Sequence, residues 1–289
     1  MKGRDVMGDE LLWKVSEGDS VNLKKYDPAY VASSVKREEA DQQLAALGQE
    51  LGELQELLAA AQHHSILMVL QGMDTSGKDG TISHVFSQVN PQGCTVNSFK
   101  VPTPEEAAHD FLWRVHKVAP AKGMLGIFNR SHYEDVLVVR VHNLTSEDVW
   151  SRRYKDINHF ERLLTENNTI VLKFFLHISQ DEQTARLRAR TEEKDKAWKI
   201  SVSDFAERKY WDDYQKAYAD ALSKCSTKEA PWYIVPANHK WYRNLAIAQT
   251  LVETMRSYKD EWKQELEARG REELAALQQL RDRKEVTDL

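Results

Sequence analysis

Lys78 closes a spacing that can do phosphate chemistry. Within LMVLQGMDTSGKDGT, Leu67 to Thr81, it completes a run of Gly72, four residues, then Gly77-Lys78. Glycines let backbone N–H groups curl round an anion, a helix N-terminus adds its dipole, and the lysine neutralises charge. Gly72, Thr75, Ser76, Gly77, Lys78, Asp79 and Gly80 are therefore candidate phosphate or nucleotide contacts. One position departs from the pattern. The residue after the lysine is ordinarily Ser or Thr, which holds magnesium, and here it is Asp79. Asp74 also lies inside the loop, where a bare acid would repel phosphate.

Two further stretches carry candidate chemistry. In GIFNRSHYEDV, Gly126 to Val136, Asn129-Arg130 ends an apolar run and Glu134 and Asp135 follow. Arg130 at a strand's carboxyl end points at phosphate; the competing reading is an i,i+4 surface ion pair with Glu134. Between Arg186 and Lys209 there are eight Lys or Arg residues against five acids. On a helix Arg186 and Arg190 share a face and Arg188 points almost the opposite way. Arg186 and Arg190 are thus the phosphate-ligand candidates and Arg188 is solvated surface. The charge-rich TEEKDK that follows reads as a lid beside the loop, or as a solvated loop. His109-Asp110 and His132 resemble acid–base pairs, but without a nucleophile pattern they read as helix or surface histidines. Trp198, Trp211 and Trp241 could stack a base, though core packing is the commoner role.

The elements that must position these groups alternate. Ser65 to Leu70, Cys94 to Lys100, Gly123 to Phe128, Thr169 to Ile178 and Pro231 to Val235 read as strands. Helical patterns fall at Lys78 to Val89, Pro104 to Lys117 (capped by Thr103), from about Ser131, and at Glu147 to Glu166. Others cover Gln180 to Arg190, Ser203 to Lys224, His239 to about Leu266, and Arg271 to Lys284. This rhythm predicts a parallel sheet covered on both faces, with ligands at the carboxyl ends of strands. Before it, residues 1–34 read as an irregular arm. Lys36 to Gln62 reads as an amphipathic helix with Leu44, Leu47, Leu51, Leu54 and Leu58 in one stripe, packed on its own domain or on a partner.

Bulk properties narrow the class. The chain has 289 residues, 29% charged and 41% hydrophobic, with a net charge of −5. An acidic chain argues against general nucleic-acid binding, so any polyanion must meet a local basic patch. No apolar run approaches the ~20 residues that span a bilayer, and MKGRDVMGDELLWK lacks the apolar core of a secretory signal. A cytoplasmic protein is expected. Cys94 and Cys225 are too far apart for a metal motif and read as buried thiols.

GMDTSGKDGT, SFKVPTPEEAAHDFLWRVH, FNRSHYEDVLVVRVH, the ARLRAR…KAWKIS stretch and PWYIVPANHKWYRN together resemble the polyphosphate kinases of the second family, in order, from about residue 25 to 260. The resemblance implies an α/β, three-layer P-loop kinase fold like that of thymidylate kinase, with a central parallel sheet, a helical lid and extra N- and C-terminal helices. It implies an arm and helix at 1–62, a phosphotransferase domain at 63–260 with its lid at about 183–210, and a charged C-terminal helix at 261–289. It also implies phosphoryl transfer between inorganic polyphosphate and a nucleotide, with magnesium (manganese as the substitute). Position by position, Asp74 matches the loop aspartate that holds metal, Lys78 the loop lysine, Arg130 the arginine after the third strand, and Arg186 and Arg190 the lid arginines. FNRSHYEDVL resembles the subgroup that accepts both AMP and ADP; guanine nucleotides are a second option. Asn129 departs from the Asp of many members, which passes the metal-ligand role to Glu134 or Asp135.

Elementary electrostatics agrees with this reading. A nucleotide's terminal phosphate is already ionised near neutral pH, so the obstacle is bringing two polyanions together. At ~4 Å two like charges repel by about 4 kcal/mol at an intermediate dielectric. Fixed cations and metal must therefore do most of the work. Lys78, Arg130, Arg186 and Arg190 supply the charge, with Lys100, Lys199 and Lys240 as candidates for guiding the polymer. The loop's own Asp74, Lys78 and Asp79 sum to −1, so it should hold phosphate poorly without metal. An ATP-dependent kinase on the same fold and a nucleotide-binding regulatory module are the alternatives. The helix at 36–62 and the C-terminal helix are surfaces for an expected homo-oligomer.

Overall fold

Ser65–Gln71 is buried at every position, as a strand covered on both faces requires, and forms an interior strand, β2, in the computed structural model. The structure describes residues 10–192 and 206–283. Across the sheet the order is β1 (Trp13–Val15), β6 (Trp232–Pro236), β5 (Thr169–His177), β2, β4 (Leu125–Asn129) and β3 (Cys94–Ser98). β2 to β6 run parallel, in register Leu70 with Asn129 and Gln71 with Phe175. β1 pairs antiparallel with β6. The sheet is therefore mixed rather than purely parallel, because the arm read as irregular contributes an edge strand. Three residues are too few to show a period, yet Trp13 and Val15 are buried and Lys14 is exposed.

The helices differ from the sequence reading where local bonding competes. α1 (Arg37–Ala61) buries Leu51, Leu54 and Leu58 and packs against α9 (Lys240–Ser257) and α10 (Lys259–Asp282). Gly52 is required there, since a Cβ would lie 2.9 Å from the Gln88 carbonyl oxygen. α2 (Lys78–Val85) stops at Phe86, short of Val89. The helix expected over Pro104 to Lys117 is two single turns, α3 (Pro104–Ala107) and α4 (Trp113–His116). Thr103 and Glu106 form a capping box on α3, and the Asp110 carboxylate takes the Leu112 N–H, a side-chain bond that interrupts the helical ladder. After β4 the chain makes a 3-10 turn at His132–Asp135 and then α5 (Val138–Val141) instead of one helix from Ser131.

α6 (Glu147–Glu166), α7 (Gln180–Glu192) and α8 (Trp211–Lys224) follow. The C-terminal break falls at Tyr258, not between Leu266 and Arg271 as expected; Gly270 sits inside α10 with open space around it. Trp262, fully buried and donating to His64 Nδ1 at 3.1 Å, pins the start of α10. Cys225 is buried, but Cys94 is only half-buried on the edge strand. Among the described residues no helix is long and apolar enough to cross a membrane.

The topology decides where a ligand sits. From β2 the chain moves to β3 at one edge, while from β4 it crosses β2 to β5 on the other side. The crevice at the carboxyl ends of β2 and β4 is a switch point, the usual binding place in such sheets.

Candidate active site

The loop after β2 owes its shape to two glycines. Gly72 has φ +154°, and a Cβ there would lie 2.8 Å from both the Leu176 carbonyl oxygen and Ser76 Oγ. Gly77 has φ +103°, and its Cβ would fall 1.8 Å from an Arg243 guanidinium nitrogen. Thr75 between them is left-handed, with φ 65°. Lys78, in the first turn of α2, is buried, and its ammonium donates to the Gly72 carbonyl at 2.8 Å and the Met73 carbonyl at 3.3 Å. Burial, then the neighbouring Arg130, pull its pKa down to about 8 against the opposing pull of Asp74, Glu134 and Asp79.

Arg130 follows β4 in a left-handed conformation, with φ 62°. It donates to Asp74 Oδ1 at 2.7 Å and to Glu134 Oε2 at 3.3 Å. Burial works against its charge, but Glu134 and Asp74 outweigh that and hold the guanidinium more firmly protonated than usual. Gln71, at the end of β2, donates to Glu134 Oε1 at 3.1 Å. Arg130 lines the cleft while pairing with Glu134, so the i,i+4 ion pair and a cleft-facing position coexist. Asn129 donates to Asp79 Oδ1 at 2.6 Å. Asp79 lies in the first turn of α2, whose N-cap position is taken by Gly77 with no side-chain bond.

Neither Glu134 nor Asp135 is among the residues lining the cleft, but Glu134 reaches its edge through the pair with Arg130. Asp135, expected as a metal ligand, instead sits 3.0 Å from Arg153 and 3.8 Å from Arg114, and burial raises its carboxyl pKa against those two cations. The turn carrying Glu134 is fixed from below. Glu161 Oε1 accepts from the Tyr133 hydroxyl at 2.8 Å and lies 3.2 Å from His132 Nε2, while Lys173 on β5 donates to Glu161 and to the Tyr133 oxygen. Lys173, Glu161 and His132 are essentially without solvent exposure. His132 is therefore a core histidine, and His109 stacks on Trp113 at 4.0 Å outside the cleft.

α7 and α9 close the cleft with cations. Arg186 is buried, and its guanidinium donates to the Thr75, Ser76, Ala237 and Asn238 carbonyls at 2.6–3.0 Å and to Glu182 at 2.7 Å. Its donors are spent tying the loop backbone to the segment after β6 and to Glu182, a different task from the direct phosphate contact expected. Gln183 of the same helix donates to the Asp74 carbonyl at 3.2 Å. Arg190 lines the cleft; Arg188 is exposed outside it. Lys100 and Lys240 also line it, whereas Lys199, Trp198 and part of the lid stretch lie outside the described residues. Trp211 and Trp241 do not line it.

Arg243 was missed by the sequence reading. It is buried, donates to the Ser76 carbonyl at 3.1 Å and to Asn244 Oδ1 at 2.8 Å, and burial and then Arg186 pull its pKa down to about 9. An Arg-Asn pair inside the apolar face of α9 was the available signal. The cleft measures about 950 Å³, lined by seven Lys or Arg side chains against three carboxylates in a chain of net charge −5. That concentration of cations suits a polyanion.

A phosphate loop at the switch point of a parallel sheet, faced by cations from two helices, defines a phosphoryl-transfer enzyme of the P-loop kinase class. Residues 34–263 match polyphosphate kinase 2 (PPK2), and the chain belongs to that family. It is 50% identical over 244 residues to the AMP/ADP-polyphosphate phosphotransferase of Meiothermus ruber, covering 84% of this chain and 91% of that one. It is 44% identical over 284 residues to the ADP-polyphosphate phosphotransferase of Rhodopseudomonas palustris, covering 93% and 97%. The crystal structure of polyphosphate kinase 2 from Arthrobacter aurescens superposes with a TM-score of 0.82 at 45% identity, covering 84% of this chain and 88% of that one.

Proposed function

We propose that this chain transfers a phosphoryl group between inorganic polyphosphate and the adenine nucleotides ADP and AMP, with magnesium. The observation that carries the reading is the cluster of cations round a phosphate loop in a member of this family. Lys78 turns from the loop carbonyls to the phosphate oxygens and neutralises them. Arg130, held by Asp74 and Glu134, presents its charge to the transferring group. Arg190 faces it from α7, and Arg186 and Arg243 fix the loop backbone whose N–H groups cradle the phosphates. Lys100 and Lys240 at the cleft walls guide the polymer. The nucleotide's own phosphate oxygen is the nucleophile; its new P–O bond forms as the bond to the departing polyphosphate oxygen breaks.

Asp74 lines the cleft and Glu134 stands at its edge, both against Arg130; their carboxylates are the hard oxygen donors that magnesium takes, so the residues present fit the ion. When bound, it neutralises phosphate oxygens and aligns donor and acceptor. AMP and ADP assayed side by side, with polyphosphate as sole donor, test the reading. Phosphorylated product from both is expected; product from neither contradicts it.

A further inference from the structure

Two positions ordinarily hold the metal in P-loop enzymes: the hydroxyl residue after the loop lysine, and an acid beside it from the strand carrying the second motif. Here the first is Asp79 and the second, at the end of β4, is Asn129. Their side chains meet, with Asn129 Nδ2 donating to Asp79 Oδ1 at 2.6 Å. The pair carries the same charge as a hydroxyl and a carboxylate, −1, but the carboxylate has moved from strand to helix. The bond leaves Asp79 Oδ2 and the Asn129 carbonyl oxygen, two hard donors of the kind magnesium takes. Both residues line the cleft beside Lys78.

The other carboxylates have cationic partners. Asp74 and Glu134 share Arg130, at 2.7 and 3.3 Å. Glu182 takes Arg186 at 2.7 Å, and Asp135 belongs to Arg114 and Arg153. Among the described residues the hydrogen-bond partner of Asp79 is an amide, and its charge acts on Lys78 without a close ion pair, so it can join Asp74 and Glu134 as a metal donor without giving up a salt bridge. We propose that Asp79, oriented by Asn129, supplies the metal-holding carboxylate that the end of β4 lacks, so that the two ligand positions are transposed. This rests on the magnesium requirement of the proposed function, and it deepens that reading by assigning Asp79 a direct contact with the ion.

Mn²⁺ is the probe. It is titrated into the full chain with ADP present and polyphosphate absent, and protein-bound ion is read by electron paramagnetic resonance against the same titration of ADP alone. Asp79→Ser, which restores the ordinary residue after the lysine, should weaken Mn²⁺ binding by at least about tenfold. Adding Asn129→Asp to it should return affinity to within about threefold of wild type. Thermal melts of each variant establish that it is folded, and Asp79→Asn, nearly identical in shape, replaces Asp79→Ser if the latter unfolds. Unchanged affinity in the single variant, no recovery in the double, or no bound Mn²⁺ in wild type overturns the transposition. Product formation by the wild-type enzyme from polyphosphate and ADP is measured separately, so failure of the transposition and failure of the proposed reaction are told apart.

Discussion

Lys78 loses its proton more easily than an exposed lysine because burial and Arg130 both disfavour the charge. The sign of the pH effect follows. The charged form neutralises phosphate, and it disappears as pH rises through about 8 in the free enzyme. kcat/KM for polyphosphate should therefore fall above that pH, since it reports free-enzyme groups. kcat should hold to higher pH, because bound phosphates add negative charge and push the lysine back up. A kcat/KM profile flat to about pH 10 contradicts this assignment. Gly77 is constrained as tightly, since an added methyl collides with Arg243 in a backbone conformation that already favours glycine. Gly77→Ala should lower turnover by about 100-fold through displacement of the loop; wild-type turnover in steady-state assays would refute it. The loop residues were legible because glycine and lysine at fixed spacing have a direct physical meaning. Arg243 was not, because nothing in one sequence says that a helical arginine points inward to a carbonyl 167 residues away.

At the scale of elements, α7 both shapes the loop and faces the cleft, so its arginines should separate by experiment. Arg186→Ala removes contacts to four backbone carbonyls. It should cost on the order of 2–4 kcal/mol of stability as well as turnover. Arg190→Ala should lower turnover with a smaller loss of stability than Arg186→Ala, and Arg188→Ala should change neither. Thermal melts beside kinetic assays check all three, and equal effects on both readouts would remove the division of labour. The sequence pattern was sufficient for β2 and β5, where long apolar runs are bounded by turns. It failed where packing or local bonding decides: β1 is only three residues, Asp110 interrupts a helical period, and Trp262 places the break before α10 rather than between Leu266 and Arg271. The Glu161–Lys173–Tyr133 cluster was equally hidden, because its members lie on separate elements and meet only in the fold.

Across the whole molecule the charge is uneven, with a net −5 chain that concentrates cations in one cleft. With a Debye length of about 8 Å at physiological salt, that local field rather than the net charge meets a polyanion. The central claim is that the donor is polyphosphate itself. The most direct measurement incubates the enzyme with ADP, polyphosphate and magnesium, with every nucleoside triphosphate excluded, and follows ATP. ATP should form in step with enzyme concentration, stop when magnesium is chelated, and fall by about 100-fold or more in Lys78→Ala. No ATP from the wild-type enzyme under these conditions, with the same preparation phosphorylating AMP from added ATP, would contradict the account.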